Sequence, residues 1–115
     1  MFKKLRTVIY HTEDLREAKA WYTKLLGKDP YFDEPFYVGF DINGCELGLD
    51  PDWKGFEKGN QSVAFWAVDD IETCVKTLEE QGAIIIDAVK EVGGGIKVAV
   101  VNDPFGNAVG LIEGA

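Results

Sequence analysis

CELGLD, at residues 45–50, has a counterpart in NAVGLIE, at residues 107–113. Each segment follows a turn that contains glycine, Gly44 in the first case and Gly106 in the second, and each has another glycine at Gly48 or Gly110. Both pairs are separated by 62 residues (106 − 44 and 110 − 48). A constant spacing of this kind indicates an internal repeat.

The segments that precede these two also repeat. Residues 4–11 (KLRTVIYH) and 62–68 (SVAFWAV) are rich in β-branched and aromatic residues, which predicts a strand in each. Amphipathic helices are predicted to follow, one over 14–27 and one over 70–82. Their ends carry capping signals, which are Asp14 and Gly27 for the first helix and Asp69 or Asp70 and Gly82 for the second.

Hairpins complete each copy. Asn43-Gly44 is a strong hairpin signal, and Pro104-Phe105-Gly106 separates the last two predicted strands. The helix starts are only 56 residues apart (70 − 14), so we expect six extra residues in the second copy, in a turn at KEVGGG. The chain is therefore predicted to be one α+β domain of two βαβββ modules, at about 1–55 and 60–115.

The composition limits the functions that are plausible. A net charge of −8 argues against nucleic acid, which needs a basic face, and suits a neutral or cationic small molecule, although acidity also serves solubility. No apolar run is long enough for a membrane span, and the N-terminus does not resemble a secretory signal. Cys45 and Cys74 form no CxxC motif. We therefore expect a reduced cytoplasmic protein that binds neither nucleic acid nor membrane.

The order of elements, together with WYTKLLG at 21–27, VDDIE at 68–72 and NDPFGNAVGLIE at 102–113, resembles the glyoxalase, bleomycin-resistance and extradiol-dioxygenase superfamily, whose fold is called the vicinal oxygen chelate fold. The resemblance covers nearly the whole chain. It implies two βαβββ modules whose mixed sheet curls around a cleft, with the helices on the outer face. It also implies a homodimer.

Enzymes of that family hold a divalent metal in the cleft, through His or Glu on the first and last strand of each module. The matching positions here are Thr7, Gly48, Val63 and Gly110. Threonine is a poor ligand, and valine and glycine offer none. The resemblance therefore predicts no metal and no cofactor, with the two glycines leaving room in the cleft floor. Alternatively, these glycines mark bulges or a close approach of strands.

Strand alternation predicts which side chains face the cleft. With Trp53 from the loop that follows, the predicted ligand-binding residues are Thr7, Ile9, His11, Glu46, Gly48, Asp50, Trp53, Val63, Phe65, Gly110 and Ile112. The opposite parity, Val8, Tyr10, Ala64, Trp66 and Val68, should pack beneath the helices. An aromatic rim of Trp53, Phe56, Tyr37 and Phe40 over acidic groups could hold an organic cation. Trp53 could equally plug the end of the core.

The single histidine, His11, is a weak candidate for a general base oriented by Glu46 or Asp50, and a structural role is the commoner alternative. These features favour a metal-free protein that sequesters a cationic or aromatic compound. One alternative is a metal-dependent lyase, isomerase or dioxygenase with displaced ligands such as His11, Glu46 and Glu113. Another is a non-catalytic dimeric regulatory domain.

Overall fold

The computed structural model describes residues 1–52 and 62–114. It divides into two compact units, Met1–Glu57 and Lys58–Ala115, which have the same order of elements. The first unit contains β1 (Thr7–His11), α1 (Leu15–Leu26), β2 (Phe32–Glu34), β3 (Tyr37–Ile42) and β4 (Cys45–Asp50). The second contains β5 (Ala64–Ala67), α2 (Ile71–Glu80), β6 (Ile84–Gly93), β7 (Ile96–Asn102) and β8 (Ala108–Glu113). The prediction of an α+β fold built from two βαβββ modules is confirmed.

Each unit forms its own four-stranded mixed sheet. The strand order is β1-β4-β3-β2 in the first and β5-β8-β7-β6 in the second. The first strand of each module pairs in parallel with the last, and the other pairs are antiparallel. This topology brings the first and last strands of a module side by side, so the positions singled out on them become neighbours.

The helices begin where the capping signals predict. The Asp14 side chain accepts a hydrogen bond from the Glu17 amide (3.0 Å), and Gly27 ends α1 in the left-handed conformation at φ 69°. Of the two candidates for α2, Asp70 is the N-cap, accepting from the Thr73 amide at 3.2 Å. Neither helix in the described part of the chain is long and apolar enough to cross a membrane.

Alternation along the strands separates two faces of each sheet. In the first module the helix-facing side buries Tyr10, Val38, Phe40, Leu47 and Leu49 against Ala18 and Tyr22 of α1. In the second, the buried set is Ile71, Val75, Leu78, Ala99, Val101, Val109 and Leu111. Placing Phe40 on a rim was wrong, because it pairs with Leu47 on the helix-facing side and is 0% exposed. Trp66 pairs with Leu111 and is half-buried on the corresponding side of its own sheet.

The hairpins differ between the modules. Asn43 (φ 50°) and Gly44 (φ 91°) make the tight turn expected between β3 and β4. Strand β6 runs for ten residues and shows three register shifts against β7. The turn predicted at KEVGGG was therefore wrong for its first four residues, which belong to β6. The βαβββ pattern implied strand β2, a short and exposed edge strand, but no residues had been assigned to it.

Candidate functional site

The face of the first sheet opposite α1, called here the open face, carries most of the predicted site residues of that module. Residues that are partners on adjacent strands point to the same side. Three rows of paired residues cross the face. The first row is Asp41–Glu46–Thr7, and the second is Phe32–Gly39–Gly48–Ile9. The third row contains two pairs, Glu34 with Tyr37 and Asp50 with His11. The structure thus brings together Thr7, Ile9, His11, Glu46, Gly48 and Asp50.

Glu46 is the most constrained polar group on this face. The Tyr37 hydroxyl donates to its Oε2 at 2.5 Å, and the Tyr31 hydroxyl donates to its Oε1. Its strand partner Thr7 accepts a hydrogen bond from Arg6 Nη1 at 2.7 Å. Both carboxylate oxygens therefore have a phenol donor, and such charge-assisted hydrogen bonds hold a side chain firmly in place.

An open pocket of about 360 Å³ lies beside this carboxylate, lined by Arg6, Tyr31, Asp41, Gly44, Cys45 and Glu46. Its size is within the range of small-molecule sites. The pocket combines an aromatic wall with two carboxylates and one guanidinium, so its walls carry more negative than positive charge.

Tyr37 remains a phenol at ordinary pH. Burial raises the pKa of its hydroxyl, the Asp50 carboxylate raises this pKa further, and Arg6 lowers it by a smaller effect. A phenol with a raised pKa keeps its proton, so Tyr37 serves as a stable donor to Glu46.

Three further aromatic residues, which were not among the predicted site residues, extend the open face. The Phe32 ring lies 6.0 Å, edge to face, from the rings of both Phe36 and Tyr37. Tyr31 and Phe36 are 62% and 65% exposed. The signal was available, since YFDEPFY at 31–37 has four aromatic side chains in seven residues with two acidic ones between them.

The two last-strand glycines do not leave empty space. A Cβ added at Gly48 would lie 2.6 Å from Tyr37 Cζ and closer still to its hydroxyl oxygen. A Cβ at Gly110 would lie 2.6 Å from Cδ2 of Phe65. The expectation of room in the cleft floor was therefore wrong, and the structure shows an aromatic side chain over each glycine, where the alternative explanation was a bulge or a close approach of strands.

On the open face of the second sheet, strands β5 and β8 and the middle of β7 are apolar, whereas Asp87 and Lys90 of the edge strand β6 pair with Val100 and Val98 of this face. Phe65 pairs with Gly110, and Gly110 with Val100; Ala67 pairs with Ile112, and Ile112 with Val98. Val63 immediately precedes β5 and is half-buried. The predicted site residues Phe65, Gly110 and Ile112 share this face, which is apolar at their positions.

The four positions that match the family's metal ligands do not fit a divalent metal. Thr7 already interacts with Arg6, Gly48 and Gly110 lie under aromatic rings, and Val63 has no donor atom. Within residues 1–52 and 62–114, these positions supply no carboxylate, imidazole or thiolate, which are the side chains that hold such ions in enzymes.

Glu113, which was considered as a displaced metal ligand, instead binds the backbone at the start of α2. It follows the helix-facing parity of β8, and its Oε1 accepts the Ile71 amide at the start of α2 (2.9 Å). It lies near Asp70 and Glu72, but Lys97 Nζ bonds Glu72 at 3.0 Å and lowers the pKa of that carboxyl. Helix capping and an ion pair account for this acidic group.

His11 is placed next to one of its two proposed partners. It pairs with Asp50 across β1 and β4, two rows from Glu46. Asp50 Oδ1 also accepts the Asp52 amide at 2.8 Å. Of the two proposed partners, only Asp50 is therefore a neighbour of His11 in the sheet. Trp53 and Phe56, predicted near the rim, lie outside the described residues.

Two βαβββ modules, each with its first strand paired to its last, define a known class of fold. The chain belongs to the Glyoxalase/Bleomycin resistance protein/Dioxygenase superfamily, whose family model matches residues 4–111. No curated protein matches the sequence.

Solved structures with the same fold are only distantly related in sequence. A glyoxalase/bleomycin resistance protein/dioxygenase family enzyme from Burkholderia phytofirmans is 20% identical, with a TM-score of 0.81 over 96% of this chain and 98% of that one. A glyoxalase-related enzyme from Fulvimarina pelagi is 15% identical, with a TM-score of 0.79 over 97% and 88%. A lactoylglutathione lyase from Agrobacterium tumefaciens is 18% identical, with a TM-score of 0.76 over 99% and 96%. At these identities the similarity establishes the fold alone.

Proposed function

We propose that this chain is a metal-free small-molecule-binding protein that sequesters a cationic aromatic compound on the open face of its first sheet. The observation that carries the proposal is the Glu46 carboxylate, held by the hydroxyls of Tyr31 and Tyr37 beside an open pocket. A fixed carboxylate next to exposed aromatic rings suits an organic cation, which gains charge attraction and cation–π contact together.

The charge of the face favours the same ligand class. Among the described residues, Asp41, Glu46 and Asp50 share the face with the guanidinium of Arg6, which is directed to the Thr7 hydroxyl, and Lys28 Nζ donates to the Asp41 carbonyl at 2.6 Å. The whole chain carries −8, so a cation is also attracted at longer range. The rings of Phe32 and Phe36 provide exposed apolar area for the aromatic part of the compound.

Calorimetric titration of a charge series tests the proposal. Phenyltrimethylammonium, benzyl alcohol and benzoate present similar rings with positive, neutral and negative charge, and bleomycin adds a large cationic glycopeptide. We expect binding by at least one of the two cations and no detectable binding of benzoate. In thermal denaturation, the midpoint should rise with the logarithm of the concentration of the bound cation.

Matched variants locate the site. Glu46→Gln removes one negative charge from the open face and should weaken cation binding about tenfold, the equivalent of roughly 1.4 kcal/mol. Asp87→Asn removes one charge from the second module, where Asp87 pairs with Lys90, and should leave affinity within about twofold. If both substitutions weaken cation binding equally, Glu46 acts only through the net charge of the protein. Stoichiometric Fe, Mn, Ni or Zn in protein purified without chelators would overturn the metal-free part.

We also propose that the protein is a cytoplasmic homodimer that binds neither nucleic acid nor membrane. Acidity supports the exclusion of nucleic acid. Exposed apolar side chains such as Ile84 (64% exposed) and Ile86 support self-association, because large apolar groups at a surface often mark an interface. Light scattering after size-exclusion chromatography would give the mass directly. A single species near 12.7 kDa at every concentration would rule out the dimer.

A further inference from the structure

Both modules cover their last-strand glycine with an aromatic ring, but the ring comes from a different side each time. Gly48 is covered by Tyr37 of β3. The strand partner of Gly48 on β3 is Gly39, two residues after Tyr37. Gly110 is covered by Phe65, its direct partner on β5. In the first module, the β1 residue that pairs with Gly48 is Ile9, which is not aromatic. The two rings are therefore not copies of one repeated feature.

We infer that Tyr37 and Phe65 take the space of the last-strand metal ligands, so that this chain rejects a divalent metal even when ligand side chains are restored. A side chain added at either glycine would begin within 3 Å of a ring carbon, closer than real Cβ atoms approach their neighbours. The ring must move before a carboxylate can enter. The floor of each module is thus an aromatic ring, which offers a planar or apolar surface and no metal ligand.

Tyr37 blocks a metal in a second way. Its hydroxyl bonds Oε2 of Glu46, the carboxylate that lies directly opposite Thr7. With Tyr31 on the other oxygen, both oxygens of this carboxylate are engaged by phenols. Removing Tyr37 would therefore free space over Gly48 and one oxygen of Glu46 at once.

Cobalt(II) binding tests the inference within the first module. Thr7→His and Gly48→Glu, with the native Glu46, place three potential ligands on neighbouring positions of one face. We expect the variant T7H/G48E, which retains Tyr37, to bind Co²⁺ no more tightly than the unmodified chain. The same pair combined with Tyr37→Ala should bind one Co²⁺ at least tenfold more tightly and develop visible absorption bands. Tyr37→Ala alone is the control for nonspecific binding.

Two results would overturn the inference. In one, T7H/G48E binds Co²⁺ as tightly with Tyr37 as without it. In the other, the triple variant binds no better than the Tyr37→Ala control while circular dichroism shows that it is folded. Because the readout is a metal ion, either failure is distinct from failure of the proposed organic-cation binding.

The second module offers a test that needs no new ligand set if the cobalt variants do not fold. Gly110→Ala should lower the thermal midpoint of the otherwise unmodified chain, because the new methyl group meets the Phe65 ring. In a Phe65→Ala background the same change should cause no loss. An equal loss in both backgrounds would show that the ring is not what keeps this position glycine.

Discussion

Alanine at Gly48 should destabilise the protein and alanine at Gly39 should not, although the two glycines are partners in one row of the first sheet. Neither has left-handed backbone, so alanine is conformationally allowed at both. A Cβ at Gly39 would meet Glu46 and Tyr31 atoms no closer than 3.4 Å. A Cβ at Gly48 would lie 2.6 Å from Tyr37 Cζ, so the tyrosine must move.

The magnitude follows from what Tyr37 loses when it moves. Its hydroxyl donates to Glu46, and a hydrogen bond to a charged group contributes about 1.5–3 kcal/mol, with the lower end fitting a part-buried bond. Replacing glycine by alanine returns about 0.4–1 kcal/mol by restricting the unfolded chain. Gly48→Ala should therefore destabilise the protein by about 1 kcal/mol, and by up to about 3 kcal/mol if the ring cannot rotate clear. Gly39→Ala should be neutral or stabilising by up to about 1 kcal/mol.

Equilibrium urea unfolding, followed by circular dichroism, measures the difference. The same two substitutions in a Tyr37→Ala background isolate the ring, because coupling between neighbours appears as non-additivity of about 0.5–3 kcal/mol. In that background Gly48→Ala should lose its penalty, whereas Gly39→Ala should change little. If Gly48→Ala is as stable as the unmodified chain, or is equally destabilised without Tyr37, then the ring does not occupy the space over Gly48.

Three further outcomes are expected from local interactions. The fold raises the pKa of the Tyr37 hydroxyl, so this group contributes stability that is fully present below the unfolded-state pKa of about 10 and is lost as pH rises through the folded-state pKa. Tyr37→Phe should therefore make the free energy of unfolding fall less steeply at alkaline pH. An unchanged slope would contradict this. Asp14→Ala, which removes the α1 cap, should cost about 1 kcal/mol in urea unfolding, whereas Glu13→Ala should change the free energy by less than about 0.5 kcal/mol. Burial raises the pKa of the Cys74 thiol, so iodoacetamide should alkylate Cys74 more slowly in folded than in urea-unfolded protein, as mass spectrometry would show; equal rates would refute it.

The parts of the fold that were predictable from sequence are those set by local chemistry. Asp14 and Gly27 delimit α1, and Asn43-Gly44 closes the β3–β4 hairpin, because each signal acts through backbone groups a few residues away. Strand β2 was not predictable because its three exposed residues, FDE, carry no alternating apolar pattern, and the strand forms through tertiary interactions such as its pairing with β3. The extension of strand β6 through KEVG was not predictable either, because it depends on pairing with β7 and not on an alternating pattern in the sequence.

The site could be predicted only up to the parity of each strand. Alternation correctly places Thr7, Glu46 and Gly48 on one face, because a side chain's side of the sheet is fixed by its position. It does not determine where the far end of a long side chain lies. Tyr37 was assigned to the rim, but its ring lies over Gly48. Tyr31 precedes β2, and its hydroxyl nonetheless bonds Glu46.

The ring and the glycine beneath it depend on each other in both modules, and this explains why one chain has glycine at both places. With Tyr37 present, any side chain at position 48 collides with it; with glycine present, removing the ring would leave a gap over bare backbone. A carboxylate cannot be introduced there by a single substitution, because the ring and the glycine must change together. The same holds for Phe65 and Gly110, where the ring comes from the other neighbouring strand. In each module the packing of a ring against the last strand therefore requires glycine at that position, although the two rings come from different strands.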